Sequence, residues 1–338
     1  MSAMRPPAPA RAPKPYGYVP LGDGSVLRRD PLFTQGHDRH PPGALSGRLE
    51  GRLVALTPLH VGTGTFERTA RVLPALAAET PLLYPLPRAG DTPVVPGTTL
   101  KGALRAVVEA ITQSCLTVRG PATRLLPPPL HPLRPCTRRD ALCPACRLFG
   151  GQGFLGRLRV ADARLVAGET TIARVPERYA RRAGRGAPPP GRRFYGHGRP
   201  ASGPVPVEVC AEGSALAWRL DFTNLQPAEL GLVLLALGQG DPPLRLKLGG
   251  YKPACFGSVE VQGATLTLDE PAACWLQYAP IPPAAPAPSD DADAADAPNL
   301  ATYSQAALDS GLVLRDRLER LASLLRYPSG RDCPGEGY

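Results

Sequence analysis

Apolar and polar positions alternate from Ser46 onward: Leu49, Gly51, Leu53, Ala55 and Thr57 interleave with Glu50, Arg52, Val54 and Leu56. A period of two predicts a strand with one face in the core, ending at Pro58. The loop Leu59-His-Val-Gly-Thr-Gly64 follows, and its glycines let backbone approach a ligand closely. The period then changes. Leu100, Ala103, Leu104, Val107, Val108 and Ile111 recur at helical spacing. This predicts a helix capped by Thr98 and running to about Ser114, with Lys101 and Arg105 together on its other face. Strand-like runs recur at Gly156 to Val166 and at Val205 to Phe222. A helix is expected from Pro227 to Leu237, and a Gly-rich loop leads into a strand between Leu246 and Val261. Leu314, Leu318, Leu321 and Leu325 form the stripe of a C-terminal helix.

Between these elements the chain is rich in breakers, with 43 prolines and 36 glycines among 338 residues. That excludes a long coiled coil or an all-helical bundle. Residues 1–45 read as a Pro-rich arm that packs only locally, 178–200 as a mobile Arg/Gly/Pro loop, and 266–299 as a low-complexity linker. The remaining units are a domain over 46–265, with a Cys-rich insertion at 115–150, and a C-terminal helix and tail over 300–338. Strands and helices in this order suggest an α+β, ferredoxin-like fold rather than a doubly wound sheet.

The net charge is +10, and only Lys14, Lys101, Lys247 and Lys252 are lysines. An arginine excess suits a phosphate-binding surface, because the guanidinium fork matches phosphate oxygens. It also suits a GC-rich genome. No run of 18 apolar residues predicts a membrane span, and the first 20 residues have no apolar core of a signal peptide. The expected compartment is the cytoplasm, where eight cysteines point to metal or buried thiols rather than disulfides.

Cys143-Pro-Ala-Cys146 is the strongest metal signal, since two intervening residues let both sulfurs reach one Zn²⁺. Cys136 and Cys115 are the expected third and fourth ligands, with His131 in reserve. A redox pair is the alternative. Cys210, Cys255, Cys274 and Cys333 show no ligand spacing and read as plain thiols. There is no GxxxxGK[ST], GxSxG or HExxH motif.

Five blocks in order resemble the RAMP superfamily of CRISPR-associated proteins. They are Thr57-Pro-Leu-His-Val-Gly-Thr-Gly64, Pro93-Val-Val-Pro-Gly-Thr-Thr-Leu-Lys-Gly-Ala-Leu-Arg105, Cys143-Pro-Ala-Cys-Arg-Leu-Phe-Gly150, Gly156-Arg-Leu-Arg-Val-Ala-Asp162 and Leu248-Gly-Gly-Tyr-Lys-Pro-Ala-Cys-Phe-Gly-Ser-Val259. They look most like the backbone subunits of type III effector complexes. Pro15-Tyr-Gly-Tyr-Val-Pro-Leu21 resembles the start of a longer-armed subgroup. The resemblance implies a ferredoxin-like, RRM-derived fold with a zinc-stapled insertion. It implies guide RNA (crRNA), target RNA and other effector subunits as partners in antiviral defence. Thr98, Thr99, Lys101, Arg105, Gly249, Gly250 and Lys252 are then the expected RNA contacts. Target-cutting relatives carry an aspartate in the loop before the second block. Here Glu79 stands in that context, so a metal-independent endoribonuclease, cutting target through Glu79 or processing precursor through His60, is the rival to a purely binding role, and a zinc-stabilised assembly adaptor without RNA contact is the third reading.

Overall fold

The computed structural model describes residues 15–21, 26–27, 37, 40–116, 133–177, 191–269 and 299–334. In chain order the elements that matter are β1 (Tyr16–Pro20), β2 (Leu45–Ala55), β3 (Arg88–Ala89), β4 (Thr92–Val95), α1 (Gly97–Ile111) and α2 (Pro144–Phe149). Then come β5 (Leu158–Val160), β6 (Ala163–Ala167), β7 (Thr170–Val175), β8 (Gly191–Tyr195), β9 (Val205–Cys210) and β10 (Ala215–Leu225). The chain continues with α3 (Pro227–Ala236), β11 (Leu246–Lys247), β12 (Ser258–Leu268), α4 (Leu300–Asp309) and α5 (Arg315–Leu324).

One antiparallel sheet runs β11-β12-β2-β10-β6-β4-β3, with β5 also paired to β10. At its centre the chain goes β2, α1, β5 and β6, β10, α3, β12. Numbered by sequence, these strands stand in the order fourth, first, third, second, the split strand–helix–strand arrangement of a ferredoxin-like unit. A mixed α+β fold of this kind is what the alternating and helical periods predict.

Leu49 and Leu53 of β2, with Trp218, Leu220 and Phe222 of β10, face Leu100, Leu104, Val107, Val108 and Ile111 of α1, all buried. Burying each such side chain contributes roughly 1.5–3 kcal/mol, which fixes α1 and α3 on one face of the sheet. α3 begins with a reciprocal cap: the Gln226 amide donates to Glu229 Oε2 at 2.9 Å, and Gln226 accepts from the backbone three residues on.

Several expectations are corrected. α1 starts at Gly97 with Pro96 at its cap, so Thr98 lies inside the first turn and caps nothing. The Gly97 amide donates instead to Asp162 Oδ1 at 2.8 Å. The helix stops at Ile111, where Thr112 turns extended. Residues 16–20 do not pack locally: β1 pairs with β8 from Tyr16↔Tyr195 to Pro20↔Gly191, and α5 packs on it. Residues 191–200 of the expected loop are therefore ordered, because β8 supplies hydrogen bonds to the arm; 178–190 lie outside the described residues. The C-terminal helices join the main core through Ala307, Leu318, Leu321 and Leu325. Cys255 and Cys333 are not plain thiols; they form a disulfide with Cα atoms 5.9 Å apart. The chain around Gly198 brings them together, since a side chain there would strike both sulfurs.

Candidate functional site

The C-terminal end of α1 leads to a cysteine centre. Cys115 follows the helix, Cys136 arrives from the insertion, and Cys143 caps the short helix α2 that carries Cys146. All four are buried, and their sulfurs lie within 4.8 Å of one another. Cys115 Sγ is 3.4 Å from Cys146 Sγ and 3.6 Å from Cys143 Sγ. A zinc about 2.3 Å from each of four thiolates sets a tetrahedral edge of about 3.8 Å, so the donor set fits. N–H groups point at the sulfurs: the Cys143 amide at Cys136 Sγ (3.4 Å), the Cys146 amide at Cys143 Sγ (3.5 Å) and the Arg105 guanidinium at Cys146 Sγ (3.5 Å). Such donors favour the thiolate form a metal needs. Within the cluster the Cys143 and Cys136 thiols are drawn down, each chiefly by its hydrogen bond with Cys115, while Cys115 and Cys146 are pushed up. His131, the reserve ligand, lies outside the described residues.

A cleft of about 720 Å³ opens where the two Gly-rich loops meet, lined among others by His60, Val61, Tyr84, Thr99, Glu177 and Tyr251. The loops hold each other by backbone contacts. The Gly250 amide donates to the His60 carbonyl at 2.8 Å, and the Gly257 amide to the Pro58 carbonyl at 2.9 Å. Gly249 has φ +72°, and a Cβ there would fall on the His60 carbonyl oxygen. Its glycine serves loop-on-loop packing as well as a bare surface. His60 is 1% exposed, with Nδ1 donating to the Glu208 carbonyl at 2.7 Å. Glu208 is buried too, and its carboxylate accepts from Arg88 Nη1 at 2.9 Å and from the Leu86 amide at 2.8 Å. At the cleft mouth Phe66, 53% exposed, stacks on Tyr84 with ring centroids 3.8 Å apart and planes 31° from parallel.

The expected RNA contacts divide. Thr99, Gly249 and Gly250 line the cleft, and Thr98 is exposed beside it. Lys252 is half-buried on the same loop, and burial lowers its pKa. Lys101 and Arg105 turn inward rather than to solvent. Lys101 Nζ donates to the Leu158 carbonyl at 2.8 Å, and burial lowers its pKa. Arg105 pairs with buried Glu109 at 2.7 Å and donates to the Gly150 carbonyl at 2.7 Å. Their stems lie between α1 and the strands it packs on, so their charges reach chain carbonyls before solvent. The amides of Gly97, Thr99 and Leu100 are engaged by Asp162 or Pro96, which leaves little of the expected helix-start anion site. Glu79 is exposed in a loop, away from the cleft lining.

Residues not foreseen are Asp162, the Arg88–Glu208 pair, the Phe66–Tyr84 stack and Lys247. The last is buried, its Nζ donating to the Cys255 and Phe256 carbonyls at 2.9 and 3.1 Å. An aromatic two residues after Gly64 was the available signal for Phe66; Asp162 ends a block already noted.

A family model described as the RAMP superfamily matches residues 52–250, from β2 to the second Gly-rich loop. No curated protein matches the chain. Among the described residues no helix is long and apolar enough to cross a membrane.

Proposed function

The chain belongs to the RAMP superfamily of CRISPR-associated proteins, whose members bind RNA, and on that premise we propose that it holds guide RNA (crRNA) as a subunit of a type III effector complex in antiviral defence. The observation that carries the reading is the cleft between the Gly-rich loops, with Thr99 on one side and the Phe66–Tyr84 stack at its mouth. Bare backbone lets a ribose approach, a threonine hydroxyl can bond the 2′-OH, and an aromatic platform can carry an unstacked base. Among the described residues no Lys or Arg lines the cleft, so these residues suit base and sugar, with phosphates left to Lys252 and to charge outside it. Sequence reading then belongs to base pairing with a target strand.

The cysteine centre is the structural part of this reading. Cys115, Cys136, Cys143 and Cys146 would hold one Zn²⁺ with no open position, anchoring the insertion to the end of α1. His60 is a clasp: its ring ties the first loop to β9. The deciding experiment is purification of the chain with its complex partners, followed by sequencing of the small RNA that accompanies it. Repeat-derived RNA of uniform length is the expected result; absence of RNA overturns the reading.

A further inference from the structure

The face of the sheet turned away from α1 and α3 carries arginines in register. In one row across the strands stand Arg48, Asp221 and Arg159. In the next stand Glu50 and Arg219, and in the third Arg52, Ala217 and Arg164. Alternation puts all of these opposite the buried Leu49, Leu53, Leu220 and Phe222. Five arginines thus meet two carboxylates. Asp221 is shared: Oδ1 takes Arg48 Nε at 3.0 Å and Oδ2 takes Arg219 at 3.0 Å. Glu50 lies 3.8 Å from Arg48. Arg159 and Arg164 are exposed and Arg52 half-exposed, and none of the three has a carboxylate partner among the described residues.

We propose that this face is a second nucleic-acid surface, which grips the phosphate backbone of an RNA strand independently of the cleft. Three features select that occupant. The surplus charge is positive and made of guanidinium forks, which match phosphate oxygens. Asp221 pins two arginines and leaves the other three without an internal anion. No aromatic side chain stands on these alternate positions among the described residues, so the face offers no stacking platform. An ordinary solvated sheet face carries charges of both signs in pairs; here three cations without a carboxylate partner among the described residues flank β10, Arg52 on β2 to one side and Arg159 and Arg164 on β5 and β6 to the other.

The proposal rests on the RNA-binding reading, and one experiment separates the two. Arg52→Ala, Arg159→Ala and Arg164→Ala are combined in one variant, and Tyr84→Ala marks the cleft. Binding of a mixed-sequence single-stranded RNA is measured against salt, with co-purified RNA retained and removed. Three lost phosphate contacts should make the log–log salt slope shallower by about 2, at about 0.7 per contact. Affinity near 0.1 M salt should fall by at least about tenfold, as the loss of three charge-assisted contacts implies. Replacing the three by lysine should restore most of the slope. If the variant also loses its co-purified RNA, the face holds the guide strand. If it keeps that RNA and loses an added complementary strand, the face holds the second strand. Unchanged affinity and slope in the triple variant, beside a weakened Tyr84→Ala, overturn this proposal alone. A wild-type chain that binds no RNA overturns both. The substitutions point to solvent, so an altered melting temperature is not expected and serves as the folding control.

Discussion

Arg105 donates to the sulfur of Cys146 at 3.5 Å, so the cation expected to meet RNA phosphate instead supports the cysteine centre. Its Nε holds buried Glu109 at 2.7 Å, and a second arginine, Arg192 from β8, reaches the same carboxylate. The helix face that reads as solvated in one dimension is thus a junction between α1, the cysteine centre and the strand that pairs with the arm. Arg105→Ala strips a buried carboxylate of one partner and should cost about 3–5 kcal/mol. Thermal unfolding should show that loss at every salt concentration. A loss of RNA affinity that fades with added salt, at unchanged stability, would instead make Arg105 a phosphate contact.

The cysteine centre predicts about one zinc per purified chain, measured by elemental analysis. Cys143→Ser or Cys146→Ser should abolish it. Structural zinc contributes on the order of 10 kcal/mol in small zinc domains. Retaining even half of that here, at about 2–4 °C per kcal/mol, puts the fall in Tm on chelation at about 10–20 °C. Zinc far below one equivalent, with an unmoved Tm, would return the four thiols to the redox reading.

Much of this architecture is legible in one dimension. The β2 alternation and the α1 periodicity each name a buried face, and both faces are where the structure puts them. The four cysteines are readable because short spacing limits where thiolates can go. What stays hidden depends on long-range register. Tyr16 meets Tyr195 across the molecule, and nothing local in a proline-rich arm announces a partner so distant. The Cys255–Cys333 link is hidden for the same reason. The side of α1 that Lys101 and Arg105 occupy is polar in pattern, yet the insertion and β5 cover it. The basic sheet face needs the pairing of β2, β5, β6 and β10 before its arginines can be seen together.

The disulfide predicts a tail tether. Arg199 donates its amide to the Arg331 carbonyl at 2.7 Å, and Arg199 pairs with Asp332, so the tail lies along 197–199 before reaching Cys333. Closing a loop over a separation of 78 residues should stabilise the fold by roughly 4–5 kcal/mol on the loop-entropy relation. Peptide mapping without reductant should recover a cross-linked Cys255–Cys333 peptide. Cys333→Ser should lower Tm by several degrees, and reductant should do the same to the wild type and nothing to the variant. Two free thiols on aerobic purification would contradict the link.

Buried cations predict the pH profile. Desolvation lowers the Lys247 ammonium to about 7, with Lys252 adding to the fall. The unfolded chain then binds the extra proton between about 7 and 10.4, so stability rises with pH across that window. The penalty is full below about 7. Burial likewise holds His197 down to about 3, so stability is lost as pH falls from about 6.5 towards 3. Lys247→Met should flatten the alkaline limb by up to about 1.4 kcal/mol per pH unit, and it should also soften the acid limb, because the Lys247 charge is the second cause that holds His197 down. His197→Gln should remove the acid limb and leave the alkaline one, since Lys247 is held down by burial and Lys252 rather than by His197. Denaturant melts from pH 4 to 10 resolve both limbs, and identical slopes in wild type and Lys247→Met would show that this ammonium is solvated.

Cleavage sets the two functional readings against each other at Glu79. The carboxylate is exposed, outside the cleft lining, and its backbone amide closes the turn that follows Leu76 at 3.1 Å. A working general acid or base must come within hydrogen-bond reach of the proton it moves, and removing one slows its step by about 10²–10⁴-fold. His60, the other candidate, is 1% exposed and spends Nδ1 on the Glu208 carbonyl. Glu79→Ala should therefore leave any cut made by the assembled complex at its normal rate and position. Guide RNA should remain bound, because a loop carboxylate repels phosphate rather than holding it. His60→Ala should behave differently: it removes the side-chain tie between the first Gly-rich loop and β9 and leaves, among the described residues, only the Leu59–Cys210 backbone bridge, so stability and guide retention should fall together, whether or not a cut is made. Labelled target RNA, cleaved by complexes carrying each variant, gives the answer. One cut lost in Glu79→Ala, with guide RNA intact, would make this chain a nuclease and Glu79 its carboxylate.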